Sequence, residues 1–327
     1  MTSVGADRMT SPAVAPQANA RIPTSGQRPF VWIDGAFYAK GDAKISVFDH
    51  GLLYGDGCFE GIRVYQGKIF KCDTHLNRIY RNAEALHMMR QTDGFPYTQS
   101  EMRSILEQCV EANGLTDGYI RLVFTRGVGD LGLHPFRCRK PTVIVIADTI
   151  RLYPEEMYRQ GMKVIVAKRP RTPAKCLSPQ LKSLNYLNNI LAKIEAIDAD
   201  VLESIMLTYS DDPNKKIVGE CTGDNLFMVK NGALCTSPLD VPMLDGVTRA
   251  FVMQTLAPKI GVAVHERPLT LDEVLHADEI FLTGTAAEII AVTQIEDTQI
   301  SEGEGPITAK LRAAFREIVT GPSVPTD

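Results

Sequence analysis

The spacing of apolar positions changes several times along the chain, and each change marks an element. Residues 30–38 alternate around Asp34-Gly35, which predicts a hairpin with that pair as its turn. Residues 58–65 read as a strand that Gln66-Gly67 turns into residues 68–70. Helical spacing follows over residues 75–88, carried by Leu76, Ile79, Tyr80, Ala83 and Leu86. A second amphipathic helix over 101–112 stops at Asn113-Gly114, as helices commonly do. Residues 119–125 and 142–147 are short apolar runs of the buried-strand kind.

Arg151-Leu-Tyr-Pro154 breaks the pattern and reads as a linker. Beyond it, strands are predicted over 162–167, 204–208, 225–229, 263–267 and 279–283, and helices over 184–198, 248–256 and 307–319. The expected organisation is a tail (1–28), a small α/β domain (29–150), a linker (151–158), a larger domain (159–320) and a short tail (321–327). No internal repeat is evident.

Composition narrows the class. With 327 residues, 44% hydrophobic and 23% charged, the chain suits a two-domain globular protein. A net charge of −4 gives no basic field for nucleic acid, and no apolar run approaches a bilayer span. Seven scattered cysteines without a C-x-x-C pair read as reduced thiols of a cytoplasmic protein, and six histidines without an H-x-x-x-H pair predict no metal site. The first 28 residues, rich in Ser, Thr, Ala and Pro, read as a disordered tail. Three arginines against one acid there leave an organelle transit peptide as the alternative.

Several residues could carry chemistry. Lys182 follows a Pro-containing irregular stretch and precedes a predicted helix with Ser183 as its cap, a position that favours a neutral amine. Taken alone it is more simply a solvated surface lysine. Glu220 sits in what reads as a tight loop before a strand; it would suit a pyridine nitrogen, or plain water. Asp245-Gly246-Val247-Thr248-Arg249 opens a helix whose N–H groups could face a phosphate. Gly284-Thr285-Ala286-Ala287-Glu288 has the same logic, a strand end followed by an expected helix start. Arg78 could add a formal charge, and Tyr119 and Arg121 on one strand face would suit a carboxylate. The bland alternatives are a surface arginine and a solvated strand face.

Together and in order, F-E-G-I-R (59–63), H-L-x-R (75–78), Y-I-R (119–121), K-S-L-N-Y (182–186), G-E-x-x-G-x-N-L-F (219–227), G-V-T-R (246–249) and T-G-T-A-A-E-I (283–289) resemble the class IV aminotransferases. These are pyridoxal-5'-phosphate (PLP) enzymes of fold type IV. F-E-G-I-R, Y-I-R and the segment Arg126-Gly-Val-Gly-Asp-Leu-Gly-Leu-His134 are similar to the branched-chain subgroup. The resemblance implies an α/β (α+β) fold with a smaller N-terminal domain and a larger pseudo-barrel domain. It implies Lys182 as the lysine that carries PLP, Glu220 opposite the pyridine nitrogen and Tyr186 on the 3-oxygen. Arg78, Gly246, Val247, Thr248 and Thr285 would hold the phosphate. Tyr119 and the Thr285-Ala286 turn would take the substrate α-carboxylate, and Arg121 the distal carboxylate of glutamate. Tyr54 and Phe59, with Arg63 beside them, would wall the side-chain pocket. The Gly132-Leu133 segment would reach a neighbouring subunit, so at least a homodimer is expected. Cys221 departs from the family's usual glycine or alanine.

The reaction so implied moves the amino group of L-leucine, L-isoleucine or L-valine to 2-oxoglutarate, with Lys182 as base and then acid. D-amino-acid aminotransferase, aminodeoxychorismate lyase and (R)-amine transaminase are alternatives on the same fold; K-S-L-N occurs in D-specific relatives too. A non-catalytic PLP-binding protein is the alternative from another class, and retention of both Lys182 and Glu220 speaks against it.

Overall fold

The computed structural model describes residues 28–150, 153–212 and 214–327. Nearly all of the expected N-terminal tail, and Arg151 and Leu152 of the expected linker, lie outside the described residues. The first half comprises β1 (Phe30–Ile33), β2 (Ala36–Ala39), α1 (His50–Tyr54), β3 (Gly57–Tyr65), β4 (Lys68–Ile69), α2 (Cys72–Ala85), α3 (Gln99–Asn113), β5 (Asp117–Thr125) and β6 (Thr142–Asp148). Its strands form an antiparallel sheet in the order β2-β1-β6-β5-β3-β4. Ile62, Val64, Ile120, Leu122 and Phe124 of this sheet share one core with Leu76 and Ile79 of α2 and with Ile105 and Leu106 of α3. A capping box of Thr98 and Glu101 starts α3, and Gly114 at φ 62° ends it.

The second half comprises α4 (Glu155–Gln160), β7 (Met162–Val166), α5 (Leu187–Asp198), β8 (Glu203–Leu207), β9 (Val218–Cys221), β10 (Asn225–Lys230), β11 (Ala233–Thr236), α6 (Val247–Phe251), a π turn (Val252–Leu256) and α7 (Ala257–Ile260). It continues with β12 (Val264–Glu266), α8 (Leu271–Leu275), β13 (Glu279–Gly284), β14 (Glu288–Ile295), β15 (Thr298–Gln299) and α9 (Pro306–Thr320). The sheet order is β12-β11-β10-β13-β14-β7-β8-β9, with β15 on β14. Only residues 222–224 join β9 to β10, yet β13, β14, β7 and β8 lie between them in the sheet. The sheet must therefore curl to bring its β9 edge back beside β10, which makes the pseudo-barrel.

The halves are tied together. Phe70 stacks edge-on against Phe251 (5.2 Å between centroids) and Tyr65 against Phe315 (6.2 Å). After α9 the chain returns to the first half, where Lys71 and Asp73 N–H donate to the carbonyls of Pro325 and Thr326.

Three sequence expectations need correction. The helix placed at 184–198 starts at Leu187, and Ser183 does not cap it; its hydroxyl accepts from Asn185 N–H instead. Glu220 lies within β9, not in a loop. Residues 285–287 form a hairpin turn between β13 and β14, not a helix start. Burial decided the last case, because both flanking segments are apolar enough to pair inside the sheet.

Candidate active site

The two sheets meet around Lys182. Strand β4 pairs only with Val64 and Tyr65, so the beginning of β3 has a free edge. The segment around Lys182 fills it: Phe59 N–H donates to Lys182 O (3.0 Å) and Leu184 N–H to Gly57 O (2.9 Å). This pairing explains why α5 begins late. Lys182 Nζ donates to Tyr186 Oη at 3.1 Å and lies 4.5 Å from the centre of the Phe59 ring. The lysine is thus fixed by backbone pairing and an aromatic pair, not by a helix terminus.

Glu220 is buried, with each oxygen engaged. Arg171 Nε donates to Oε1 (2.6 Å), while Leu244 N–H (3.0 Å) and Asn225 Nδ2 (3.2 Å) donate to Oε2. Burial pushes its carboxyl up and the Arg171 charge pulls the other way, with burial prevailing. Arg171, also buried, donates to Asn189 Oδ1 (2.9 Å). It went unseen in the sequence because it lies in a basic stretch (residues 168–175) that reads as solvated. Cys221 is buried beside this group, and burial, then Glu203, raises its thiol well above the ordinary range, so it stays protonated. Asp224, at the same cavity, is pushed up to about 7 by burial and by Glu203.

Across the cavity, Gly246 caps α6, and Val247 and Thr248 begin it. A Cβ on Gly246 would sit 1.9 Å from Asn225 Oδ1, so any other residue here must push the Asn225 amide aside. Arg78 projects from α2 and donates to Asp245 O. Its Nε and Nη2 form a bidentate pair with Glu60 (2.6 and 2.7 Å), and His75 Nδ1 lies 2.8 Å from the same carboxylate. Burial alone would raise Glu60, but the charge of Arg78, with the hydrogen bonds from Arg78 and His75, outweighs it and holds the carboxyl well below its usual range. Neither Glu60 nor His75 was singled out from sequence. The available signal was an acid inside an otherwise apolar strand.

Tyr119 also lines the cavity, with its phenol over Gly61, where a Cβ would come within 1.8 Å of Oη. Arg121 Nη2 donates to Tyr119 Oη (3.3 Å), and its guanidinium lies 4.6 Å from the centre of the Phe59 ring. Thr285 and Ala286 also line the cavity, which is open to one side and has a volume of about 380 Å³. Arg63 does not line this cavity; it is buried and turned to Asp117 (2.7 Å). Tyr54 and Leu133 also lie outside it: Gly132 N–H donates to Tyr54 Oη (3.0 Å), and Leu133 is 82% exposed. Phe59, Arg121 and Glu220 are not in the lining either, but each contacts a residue that is, Lys182, Tyr119 and Asn225 respectively. Among the described residues no helix is long and apolar enough to cross a membrane.

Three comparisons bear on this geometry. Residues 57–295 match the family model of class IV amino-transferases. A protein of Methanocaldococcus jannaschii named "Putative branched-chain-amino-acid aminotransferase" is 46% identical over 291 residues, covering 89% of this chain and 96% of that protein. A D-alanine aminotransferase of Listeria monocytogenes is 34% identical over 290 residues, covering 88% and 95%. Among solved structures, a branched-chain amino acid aminotransferase of the source abbreviated T.th., with pyridoxamine 5'-phosphate, superposes with a TM-score of 0.83 at 33% identity, covering 91% and 96%.

Proposed function

The chain belongs to the class IV aminotransferases and is a PLP-dependent transaminase; from that premise we propose that it transfers the amino group of L-leucine, L-isoleucine and L-valine to 2-oxoglutarate. The residues present fit the cofactor. The close approach at Gly246, the buried guanidinium of Arg78 and the start of α6 suit its phosphate, with Val247, Thr248 and Thr285 around it. Lys182 would carry it, Glu220 would face its pyridine nitrogen and Tyr186 its ring oxygen. When bound, PLP is an electron sink for negative charge developing at the substrate Cα.

The protein's own groups do the rest. Lys182 Nζ takes the Cα proton and holds it beside Tyr186 Oη. Glu220 supplies the negative charge that a protonated ring nitrogen needs, and Arg171 and Leu244 N–H keep its oxygens oriented. Tyr119 and the N–H groups of the Thr285-Ala286 turn take the α-carboxylate.

The observation that carries the substrate reading is the Arg121 guanidinium lying over the Phe59 ring beside Tyr119 Oη. One small region thereby offers an apolar face and a cation, the two chemistries that leucine and glutamate require in turn. The relatives and solved structures named as branched-chain aminotransferases support the same reading. Tyr54 and Leu133 are exposed and stand outside their own chain's cavity, so we assign them to the cavity of a second copy in a homodimer.

The test is the visible absorption of the PLP-loaded protein with L-leucine and, separately, with D-alanine. The cofactor band should bleach with L-leucine and persist with D-alanine. Bleaching with D-alanine alone would move the assignment to the chemistry named for the Listeria relatives.

A further inference from the structure

The hairpin turn on the cavity rim is held by a buried group that has no part in the reading above. Three residues, Thr285, Ala286 and Ala287, join β13 to β14, and the next residue, Glu288, has φ +59°. A left-handed backbone beside a hairpin turn is usually left to glycine, because a Cβ is crowded there. Here the position holds a glutamate that is 1% exposed. Both the backbone conformation and the burial of a carboxylate are unfavourable, so other contacts must over-determine them.

Those contacts come from two other elements. Tyr65 Oη, from β3, donates to Glu288 Oε1 at 2.7 Å. Burial and the Glu288 charge push the Tyr65 phenol up, so it remains a donor. Arg316 Nη2, from α9, lies 3.0 Å from Oε2 and Arg63 Nη2, from β3, 3.8 Å from Oε1; both are ion pairs, and Oε2 accepts no hydrogen bond. Arg63 also stacks over the Tyr65 ring at 4.6 Å. The carboxylate thus fastens the far side of the hairpin to the strand that carries Phe59 and Gly61. On the near side, Gly284 packs against Asp224, and a Cβ there would fall 1.8 Å from Oδ1 and displace that carboxyl. The turn is held from both ends while Thr285, Ala286 and Ala287 line the cavity.

We propose that Glu288 is a positioning residue: its buried carboxylate, held by Tyr65, Arg63 and the half-buried Arg316, fixes the Thr285–Ala287 turn where its N–H groups reach the substrate α-carboxylate and the cofactor phosphate. This rests on the role given to that turn under Proposed function. It also accounts for Arg63, which serves the clamp and not the pocket.

The test separates position from mere stability. Glu288→Gly removes the carboxylate but relieves the left-handed backbone, so a purely structural strain predicts no loss. Holoprotein is titrated with 4-methylvalerate, a leucine-shaped carboxylate with no amine to transfer, and apoprotein with PLP. Glu288→Gly should weaken 4-methylvalerate binding ~10-fold or more, the scale of a displaced binding group. It should raise the KM for L-leucine more than it lowers kcat. Glu288→Gln, which still accepts from Tyr65, should recover part of the loss. Unchanged affinity for both ligands in Glu288→Gly overturns the proposal. If that variant does not fold, Arg316→Met and Tyr65→Phe decide in the same way. A wild-type holoprotein that ignores 4-methylvalerate overturns the substrate reading instead. The clamp is then judged on PLP affinity alone, where unchanged binding in the variants overturns it.

Discussion

Glu60 shows how one residue can be both structural and chemical. It sits in the middle of a nine-residue strand whose every position is buried, and only its pair with Arg78 and His75 makes that tolerable. Breaking a buried pair by removing one partner typically costs ~3–5 kcal/mol, because the other charge stays behind. Glu60→Gln should therefore lose about 3 kcal/mol of unfolding free energy at neutral pH, measured by urea titration. The pH dependence has a definite sign. The folded carboxyl titrates well below its unfolded value, so its stabilisation is complete above the ordinary glutamate range, begins to fall as pH drops through that range and is gone only below the folded value. Burial, its largest influence, also lowers the His75 imidazole, so His75 acts in the same sense from about 6.5 downward. Wild-type stability should fall on acidification from pH 7 to 4, and the Glu60→Gln curve should be flatter below about pH 5. Parallel curves would show that Glu60 is not the titrating group. Sequence drew attention to Phe59, Arg63 and Arg78 on either side but not to Glu60, because a single acid in an apolar run carries no periodic signal. Its importance comes from α2 crossing β3, which is tertiary information.

At the scale of elements, what could be read depended on whether local pattern and tertiary pairing agreed. Helices α2, α3 and α9 have strong apolar stripes and were legible to within a few residues. The apolar pattern places the start of α5 three residues early, because Leu184 continues it while the backbone there is claimed by β3. Strand β9 has four residues and too little pattern to read, whereas β11 follows Asn231-Gly232, a turn pair at positive φ that marks its hairpin with β10 as Asp34-Gly35 marks the first one. The start of α6 was legible because Gly246 and the hydroxyl after it are a chemical signal as well as a structural one. Its function can be tested through the glycine. A methyl at 246 must displace Asn225, whose amide also donates to Glu220 and to Leu244 O, so the cradle and the acid would be disturbed together. Gly246→Ala should weaken PLP binding by apoprotein ~10-fold, about 1.4 kcal/mol, in a fluorescence titration. Gly41→Ala, where an added Cβ meets nothing within 4 Å, is the control. Equal affinities in the two variants would remove the anion-cradle role from this helix start.

For the whole molecule the open question is what covers two apolar surfaces that meet beside the cavity. One is made by α1 and the loop after β5, where Phe48, Leu52, Val128, Leu131 and Leu133 are exposed. Backbone bonds from His50 N–H to Gly127 O and from Gly129 N–H to Phe48 O hold these segments together. The other is the outward stripe of α5, Leu187, Ile190, Ile194 and Ile197, spaced as one helix face. Asn185, just before α5, donates to Gly55 O, just after α1, so the two surfaces adjoin. A monomer rarely leaves this much contiguous apolar surface in water. The residues proposed for PLP all come from one chain, whereas Tyr54 and Leu133 lie outside their own chain's cavity. Pairing of two copies should therefore matter to the substrate side and much less to the cofactor side. Ile194→Asp with Ile197→Asp places charges on the α5 stripe without touching the cavity lining. The wild type should sediment at twice its 36.0 kDa chain mass and the double variant at that mass itself. The variant should still take up PLP but lose most of its turnover of L-leucine. A wild type that sediments as a single chain at micromolar concentration, or a monomeric variant with full turnover, would show that the cavity is complete within one chain and that these surfaces meet some other partner.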